Sequence, residues 1–531
     1  MFDLVLTGGI VVDGTRSAPR PADVCIQNQT IVEVADRFEG ESRQILDVTG
    51  KIVAPGFIDI HTHSDVCSLL PPPYHAESKL FQGVTTEITG NCGLSIVPAS
   101  QERRAEIQRY FACSTELNLD GLACDFESVS DYAKQVNPNG CSHNYGLLVG
   151  HGALRGCVMG FDDRDPTPAE LEELKAVLDR ELSRGAFGMS LGLIYPPSAF
   201  CKLEELVALA EVVKQHNAIL TVHMRNEGPR LFEAVDEMIE VTERSGVHLQ
   251  ISHLKLMGKP QWGRADELLQ KIENARARGL DITCDQYPYN ATSTGLAALT
   301  PKWAQDGGID RLLERLGSHD RRLLDAILLE MGNRGGPACV LVSSTHGHMP
   351  EAEGKRIDQI SDLLHLSPEE TVAEILIRSQ GGVEAIYFSL DEKDIIEILR
   401  DMRIAIGSDG TSFCYDPHVT TTAPHPRSFG TFPRFLRMNR ELRLMPIQDA
   451  VYKLTGLPAS ILGLPNRGVL RAGAAADITV FDEKTVTDCS DFLHPVVKPQ
   501  GIECVLVAGE PTVLHNRSTE AHAGRILLRG Q

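Results

Sequence analysis

The sequence lacks the features of a membrane or exported protein. None of its 531 residues belong to an uninterrupted apolar run of about 18, the length that a membrane-spanning helix needs. The opening MFDLVLTGGIVVDG has no basic start, and Asp3 interrupts its apolar residues. These absences predict a cytoplasmic protein without a membrane association. A periplasmic or secreted enzyme with a processed start is the alternative.

A regular cysteine framework and an excess of positive charge are also missing. The thirteen cysteines are scattered without a CxxC pair, which indicates free thiols in a reducing compartment. The chain has 51 Lys and Arg against 72 Asp and Glu, a formal net charge of −21. Because this surface repels a phosphate backbone, nucleic acid and anionic membranes are not expected partners. The oligomeric state stays open.

Short strand-like segments lie at both ends of the chain. Residues 3–14 and 22–36 alternate apolar runs with turn residues, and residues 476–482 and 502–513 repeat the pattern. The two ends are predicted to pair into one small β-sandwich, although two unrelated β decorations would give the same pattern.

The middle of the chain alternates short apolar strands with helical patterns, which is typical of a parallel barrel. Eight strands are predicted, at residues 52–61, 84–89, 144–150, 186–192, 218–223, 247–253, 280–286 and 402–409. The fold class is therefore α/β: a (β/α)₈ TIM-like barrel with a small β-sandwich formed by the terminal segments. Predicted boundaries are 1–54, 55–467 and 468–531. An insertion at about 290–370 is a candidate lid.

Potential metal ligands lie where these strands run out into loops. His61 and His63 are two residues apart, so both imidazoles face the same side of a strand end. Cys92, His223, His253 and Asp409 occupy equivalent positions on other strands. Loops at these ends build the active site of a (β/α)₈ barrel. A buried structural histidine, an inert thiol or an ion-paired aspartate explains each residue alone, but not the whole set.

The donor types indicate zinc. A thiolate with imidazoles and a carboxylate suits Zn²⁺ better than Mg²⁺ or Ca²⁺, which prefer oxygen. We expect Cys92, His223 and His253 to hold one tight ion with an open fourth position. His61, His63 and Asp409 either hold a second, weaker ion or orient the reaction. Asp409 is placed to take a proton from water and pass it to a leaving amine.

Several motifs resemble a known family. PGFIDIHTHSD after a β-rich start, and GVLRAGAAADITVFD near the end, resemble the amidohydrolase superfamily. Within it the chain is similar to the N-acyl-D-amino-acid deacylases (D-aminoacylases), through GVTTEITGNCG, VGHGALR, GMSLGLIYPPS, TVHMRNEG, ISHLK, CDQYPYNA, GSDG and HPRSFGTFPR. The resemblance spans residues 1 to about 485.

The resemblance implies roles for these residues. His61 and His63 match the superfamily's metal pair, and Cys92 the family's cysteine ligand. His223 and His253 match ligand histidines, and Asp409 the catalytic aspartate. The fourth strand, AFGMSLGLIY, carries no lysine to bridge two metals, so Cys92 would replace that bridge. This argues for linear rather than cyclic amides.

A deacylase must also hold the α-carboxylate of its substrate. Arg427 offers a bidentate fork, and Lys255, Tyr195 and Tyr287 are further candidates for this clamp, although each also suits an ordinary core or surface position. His151 and Arg155, after the third strand, are candidate supports behind the metal ligands. The expected substrate is a small N-acyl amino acid.

Other functions compete with a deacylase of this general kind. A dipeptidase, an N-acyl-D-glutamate or N-acyl-D-aspartate specialist and a deaminase of an N-heterocycle would use a similar metal site. A catalytically inactive scaffold is a rival from a different class, but such scaffolds lose metal ligands, and here every expected position is filled. Side-chain preference cannot be predicted from the sequence.

Overall fold

The two ends of the chain share one sheet. The computed structural model describes residues 1–69, 77–112 and 126–530. The strands of this terminal sheet are β1 (Phe2–Val11), β2 (Arg20–Gln27), β3 (Thr30–Ala35), β4 (Ser42–Asp47), β5 (Ile52–Pro55), β17 (Ile478–Phe481), β18 (Ile502–Val507), β19 (Glu510–Leu514) and β20 (Arg517–Ser518). Their order is β20-β19-β18-β17-β5-β1-β2-β3, with β4 beside β1.

The junction between the ends lies at β5 and β17. These strands pair antiparallel, with Val53 opposite Val480, and both side chains are buried in one apolar core. The predicted pairing of the two terminal segments is therefore confirmed. Because β5 ends at Pro55, the chain leaves this sheet next to the predicted boundary at residue 54; the domain boundaries themselves stay predictions.

A parallel eight-stranded sheet forms the centre of the molecule. Its strands lie at the eight predicted positions: β6 (Phe57–Asp59), β7 (Val84–Thr89), β8 (Asn144–Gly150), β9 (Gly188–Gly192), β10 (Ile219–His223), β11 (His248–Ile251), β12 (Ile282–Gln286) and β16 (Ile404–Ile406). All of β8 is buried, as expected for a strand covered on both faces. The predicted fold class is confirmed.

The first and eighth strands close the barrel just beyond their ends. The Asp409 amide donates to the His61 carbonyl at 2.8 Å, and the His63 amide donates to the Gly410 carbonyl at 3.0 Å. Thr62 and Gly410 form a parallel bridge there. The closure therefore joins two of the segments that carry predicted site residues.

Helices pack around the barrel and extend beyond it. They are α1 (Arg104–Ala112), α2 (Val129–Val136), α3 (His151–Val158), α4 (Pro168–Ser183), α5 (Leu203–Gln215), α6 (Leu231–Ser245), α7 (Ala265–Ala277), α12 (Glu392–Arg400), α13 (Arg427–Leu442), α14 (Ile447–Leu454) and α15 (Gly456–Leu462). At the start of α4, Thr167 forms a capping box with Glu170, as a threonine before a helix predicts. In the described residues no helix has both the length and the apolar character to cross a membrane.

The insertion after β12 has a core of its own. It contains β13 (Thr292–Gly295), β14 (Val340–Ser344), β15 (Glu384–Tyr387), α8 (Ile309–Gly317), α9 (Arg321–Asn333), α10 (Ile357–Leu364) and α11 (Pro368–Arg378). It runs further than the predicted end near residue 370, because β15 is the central strand of its three-stranded sheet. The apolar faces of these helices pack on that sheet.

Candidate metal centre and active site

The six predicted ligand residues meet at the carboxyl ends of the barrel strands. His61 and His63 follow β6, Cys92 follows β7, and His223 is the last residue of β10. His253 follows β11, and Asp409 follows β16. Five of the six are almost completely buried, and the side chain of His63 is 19% exposed.

The backbone is strained at three of these positions. Cys92, His253 and Asp409 have φ values of +54°, +38° and +53°, in the left-handed region that side chains with a Cβ rarely adopt. A Cβ on Gly192 would lie 1.9 Å from the Cys92 carbonyl oxygen, so only glycine fits beside this loop. Such strain persists where the surroundings impose it and is concentrated at functional sites.

Four side chains converge on one point. The Cys92 Sγ lies 3.3 Å from the His61 Nε2 and 3.5 Å from the His253 Nε2. The Asp409 Oδ1 lies 3.2 Å from the His61 Nε2. One ligand atom from each of these four residues lies within 4.8 Å of the others, a spacing that lets one ion contact them all.

His223 extends the cluster on the His253 side. Its Nδ1 lies 2.9 Å from the His253 Nε2, and Glu227 lies 3.5 Å from its Nε2. Within the described residues, that buried Nε2 has no hydrogen-bond partner. Because a buried polar atom without a partner is costly, these residues fit a metal ion better than a purely structural cluster. Sequence reasoning missed Glu227, four residues after His223.

The charges of the cluster favour ionised ligands. Burial opposes ionisation of the Cys92 thiol, but His61 and His253 outweigh it and hold its pKa well below the ordinary value. Burial likewise opposes the charge of Asp409, while Arg427, His253 and His61 hold its pKa well below the usual range. A thiolate and a carboxylate beside imidazoles are the donor set expected for zinc.

A buried aspartate that sequence reasoning missed orients two histidines. Asp285 lies in β12 and accepts hydrogen bonds from the His61 Nδ1 at 3.0 Å and from the His253 amide at 2.8 Å. Gln250 donates to its other oxygen at 2.8 Å. With the proton on Nδ1, the His61 Nε2 is free to face the cluster. The signal available in the sequence was its position near the end of a predicted strand.

The predicted carboxylate clamp is arranged around Asp409 and His253. Arg427 donates to Asp409 at 2.5 Å and lies 5.3 Å above the Tyr287 ring. Lys255 lies 2.7 Å from both Glu227 and the His253 Nδ1. The Tyr195 ring lies 5.1 Å from the His223 ring. Tyr287 is fully buried beside Arg427, and its contact with a substrate stays a prediction.

The predicted supports lie one layer further out. His151 contacts Ser198 at 3.1 Å and Glu205 at 2.9 Å, and Arg155 donates to Glu205 at 2.5 Å. Glu205 belongs to α5, and Ser198 lies in the loop after β9, beside Gly93. The support of the ligand loop by His151 and Arg155 stays a prediction.

A cavity opens from the cluster. Its volume is about 520 Å³, and it is lined by barrel residues including His63, Cys92, His223 and Asp409. Residues of the insertion, from Thr292 to Gly295 and around Ile309, form part of its wall. The insertion therefore covers one side of the candidate active site; its role as a lid stays a prediction.

This chain is similar to known proteins. A family model described as the amidohydrolase family matches residues 44–109 and 402–513. The D-aminoacylase of Alcaligenes xylosoxydans xylosoxydans is 35% identical, over 99% of this chain and 98% of its own. The chain belongs to the D-aminoacylase family of amidohydrolases. The predicted resemblance is thereby confirmed.

Other relatives within the D-aminoacylase family are named for a different substrate. An N-acyl-D-glutamate deacylase of the same organism is 34% identical, over 99% of this chain and 97% of its own. One solved structure is that of a D-aminoacylase with a binuclear metal centre. It is similar to this chain with a TM-score of 0.82, at 34% identity and with both chains fully covered. An N-acyl-D-glutamate deacylase structure from Bordetella bronchiseptica, in complex with zinc and a phosphonate inhibitor, also gives 0.82, at 31% identity and 99% coverage of each chain.

Proposed function

We propose that this chain hydrolyses the amide bond of N-acyl-D-amino acids to a carboxylate and a free D-amino acid, with zinc as its cofactor. The observation that carries the proposal is the convergence of the buried residues His61, Cys92, His253 and Asp409, two of which, Cys92 and Asp409, line a cavity. The names of the relatives, which are deacylases of N-acyl-D-amino acids, support the same activity.

The proposed metal site uses all six residues. Cys92, His223 and His253 would hold one tightly bound zinc ion, and His61, His63 and Asp409 would offer a second, weaker position. Zinc lowers the pKa of a water molecule and polarises a carbonyl oxygen. In the solved D-aminoacylase with a binuclear metal centre, one metal activates the enzyme and the second attenuates it. This supports unequal roles for the two metal positions proposed here.

Asp409 is the proposed general base and acid. Its pKa is held below the usual range, so the carboxyl is ionised at neutral pH, and this weak base can take a proton only from a water whose own pKa is lowered. The contact with Arg427 at 2.5 Å fixes its orientation. As the tetrahedral carbon collapses, the same carboxyl group passes the proton to the leaving nitrogen, and the D-amino acid departs as a free amine.

Arg427 and Lys255 are the proposed binding groups for the α-carboxylate. They flank Asp409 and His253, so a carboxylate held there places the adjacent amide beside the cluster. Tyr195 lines the same cavity. The substrate's carboxylate and amide are then both fixed, and the cavity wall limits where its side chain can lie. These three constraints together distinguish the two enantiomers.

The experiment is amine release by zinc-loaded protein from matched N-acetyl-D- and N-acetyl-L-forms of Met, Leu, Glu and Asp. Hydrolysis confined to the D series is expected, with loss of turnover after chelation. Hydrolysis of the L series at equal rates would refute the stereochemical assignment. No hydrolysis of any substrate by the metal-loaded protein would refute the deacylase assignment, and dipeptides would be the next class to test.

We also propose a cytoplasmic location. Its support is the cysteine usage, since every cysteine in the described residues is a free thiol. Fractionation of the source cells tests it: the activity should accompany a cytoplasmic marker, and activity in a periplasmic or culture fraction would contradict it.

A further inference from the structure

The cavity is larger than an N-acetyl amino acid requires. Its volume of about 520 Å³ falls within the roughly 300–1,000 Å³ of pockets that enclose drug-sized ligands. An N-acetyl amino acid held by Arg427 and Lys255 would lie beside Asp409. The lining of the cavity extends beyond these residues, to α1 and to the insertion.

The lining of the cavity includes five largely apolar side chains, Leu94, Tyr110, Phe161, Ile194 and Ile309, which define what we call the chamber. Charged side chains, among them Arg109, Asp310 and Arg334, also lie in the lining of the cavity. Leu94 follows Cys92 by two residues, and Ile194 follows β9 by two. The Tyr110 and Phe161 rings lie 5.3 Å apart. Except for Leu94, these side chains are only partly buried, so they present apolar surface to the chamber. Its occupant gains free energy by covering that surface.

The insertion closes the chamber from the far side. The Gly307 amide donates to the Phe161 carbonyl at 3.1 Å, and the Tyr195 hydroxyl lies 2.7 Å from the Thr294 hydroxyl. Arg109 contacts Asp310 at 3.2 Å. The chamber is therefore bounded by α1, by the loop around Phe161 and by the insertion, and it is continuous with the candidate active site.

We propose that the substrate class is N-acyl-D-amino acids with an apolar acyl group longer than acetyl, which occupies the chamber. The proposal rests on the deacylase function proposed above. The α-carboxylate lies at Arg427 and Lys255, the scissile carbonyl lies at the cluster, and the acyl chain extends along Leu94 and Ile194 towards Phe161 and Ile309.

The test compares kcat/KM for N-acetyl-, N-butanoyl-, N-hexanoyl- and N-octanoyl-D-leucine. Burial of a methylene is worth about 0.8 kcal/mol, which is roughly fourfold in kcat/KM. We expect the hexanoyl substrate to exceed the acetyl substrate by about tenfold or more. A flat or falling series with a hydrolysed acetyl substrate would overturn this proposal and leave the deacylase function intact. No hydrolysis of any member would overturn both.

Two variants locate the acyl chain. Ala298 lines the cavity, and Ala298→Trp should lower kcat/KM for the octanoyl substrate at least about tenfold more than for the acetyl substrate. Ile309→Asp, which adds a charge to the chamber, should shift the ratio the same way. Leu329→Trp adds the same indole to a side chain of the insertion that is 69% exposed and should leave the ratio unchanged. Equal effects on both substrates would place the acyl chain elsewhere.

Discussion

The Asp285 carboxylate accepts a hydrogen bond from the His61 Nδ1 at 3.0 Å in a fully buried position. This contact places the proton of His61 on the nitrogen that faces away from Cys92. A ligand imidazole held by a carboxylate is a more basic donor and has a fixed orientation.

Asp285→Asn should therefore weaken zinc binding at the position that includes His61, while the fold is retained. Loss of such a partner lowers metal affinity by about 10–100-fold. Competition with a chromogenic chelator measures this affinity. Asp281→Asn is the matched control, because the Asp281 side chain is 68% exposed and lies outside the cluster. Unchanged zinc affinity in the Asp285→Asn variant would show that Asp285 does not orient His61.

Asp409→Asn should retain the tight zinc ion and lose turnover. The three residues proposed for that ion remain, but the amide cannot take a proton from water. A general base contributes about 10²–10⁴-fold, so kcat for N-acetyl-D-leucine should fall by this factor. The zinc content of the dialysed protein is measured in parallel. Near-normal turnover would mean that another group is the base.

Arg427→Lys should impair binding of the substrate carboxylate. Lysine offers a point charge in place of a planar fork, and loss of a hydrogen bond to a charged group costs about 1.5–3 kcal/mol, or roughly 10–100-fold in kcat/KM. Arg400→Lys, at a half-exposed side chain of α12, is the control. An unaffected kcat/KM in the Arg427 variant would assign the carboxylate to another residue.

Glu87 should make the fold sensitive to acid. Burial alone would raise its pKa, but the hydrogen bond from His143 and the charge of Lys79 lower the pKa to about 2, from 4.5 in the unfolded chain. Stability from this group is present above pH 4.5 and is lost as the pH falls towards 2; fully developed, it amounts to roughly 3 kcal/mol.

The measurement is urea unfolding between pH 7 and pH 3 for the wild type and Glu87→Gln. The wild type should be more stable than the variant at pH 7, and the difference should shrink at low pH. Glu172→Gln, at a side chain that is 71% exposed, should follow the wild type at every pH. A difference independent of pH would show that the Glu87 charge does not stabilise the fold.

Much of this architecture could be predicted from the sequence because its signals are local. Apolar runs broken by turn residues predict the positions of the eight barrel strands. Once the strands are placed, a histidine, cysteine or aspartate at a strand end is a candidate metal ligand. Cys92, His223 and Asp409 are therefore found together as expected. The insertion's true extent was harder to predict, because β15 joins its sheet through pairing with β13 and β14, which are distant in sequence.

The parts that could not be predicted depend on contacts between distant segments. Asp285 orients His61 across 224 residues, and Arg109 meets Asp310 across 201. Neither contact has a local pattern. The same holds for the chamber, whose walls come from α1, the loop around Phe161 and the insertion.

The most direct test of the metal site is a paired measurement of bound zinc and of N-acetyl-D-leucine turnover in the wild type and Cys92→Ala. Cys504→Ala, which removes a buried thiol of the terminal sheet, is the control and should keep both. We predict that Cys92→Ala loses its tight zinc and its activity together, because the ion's central ligand is gone. A Cys92→Ala protein that keeps both would contradict the account.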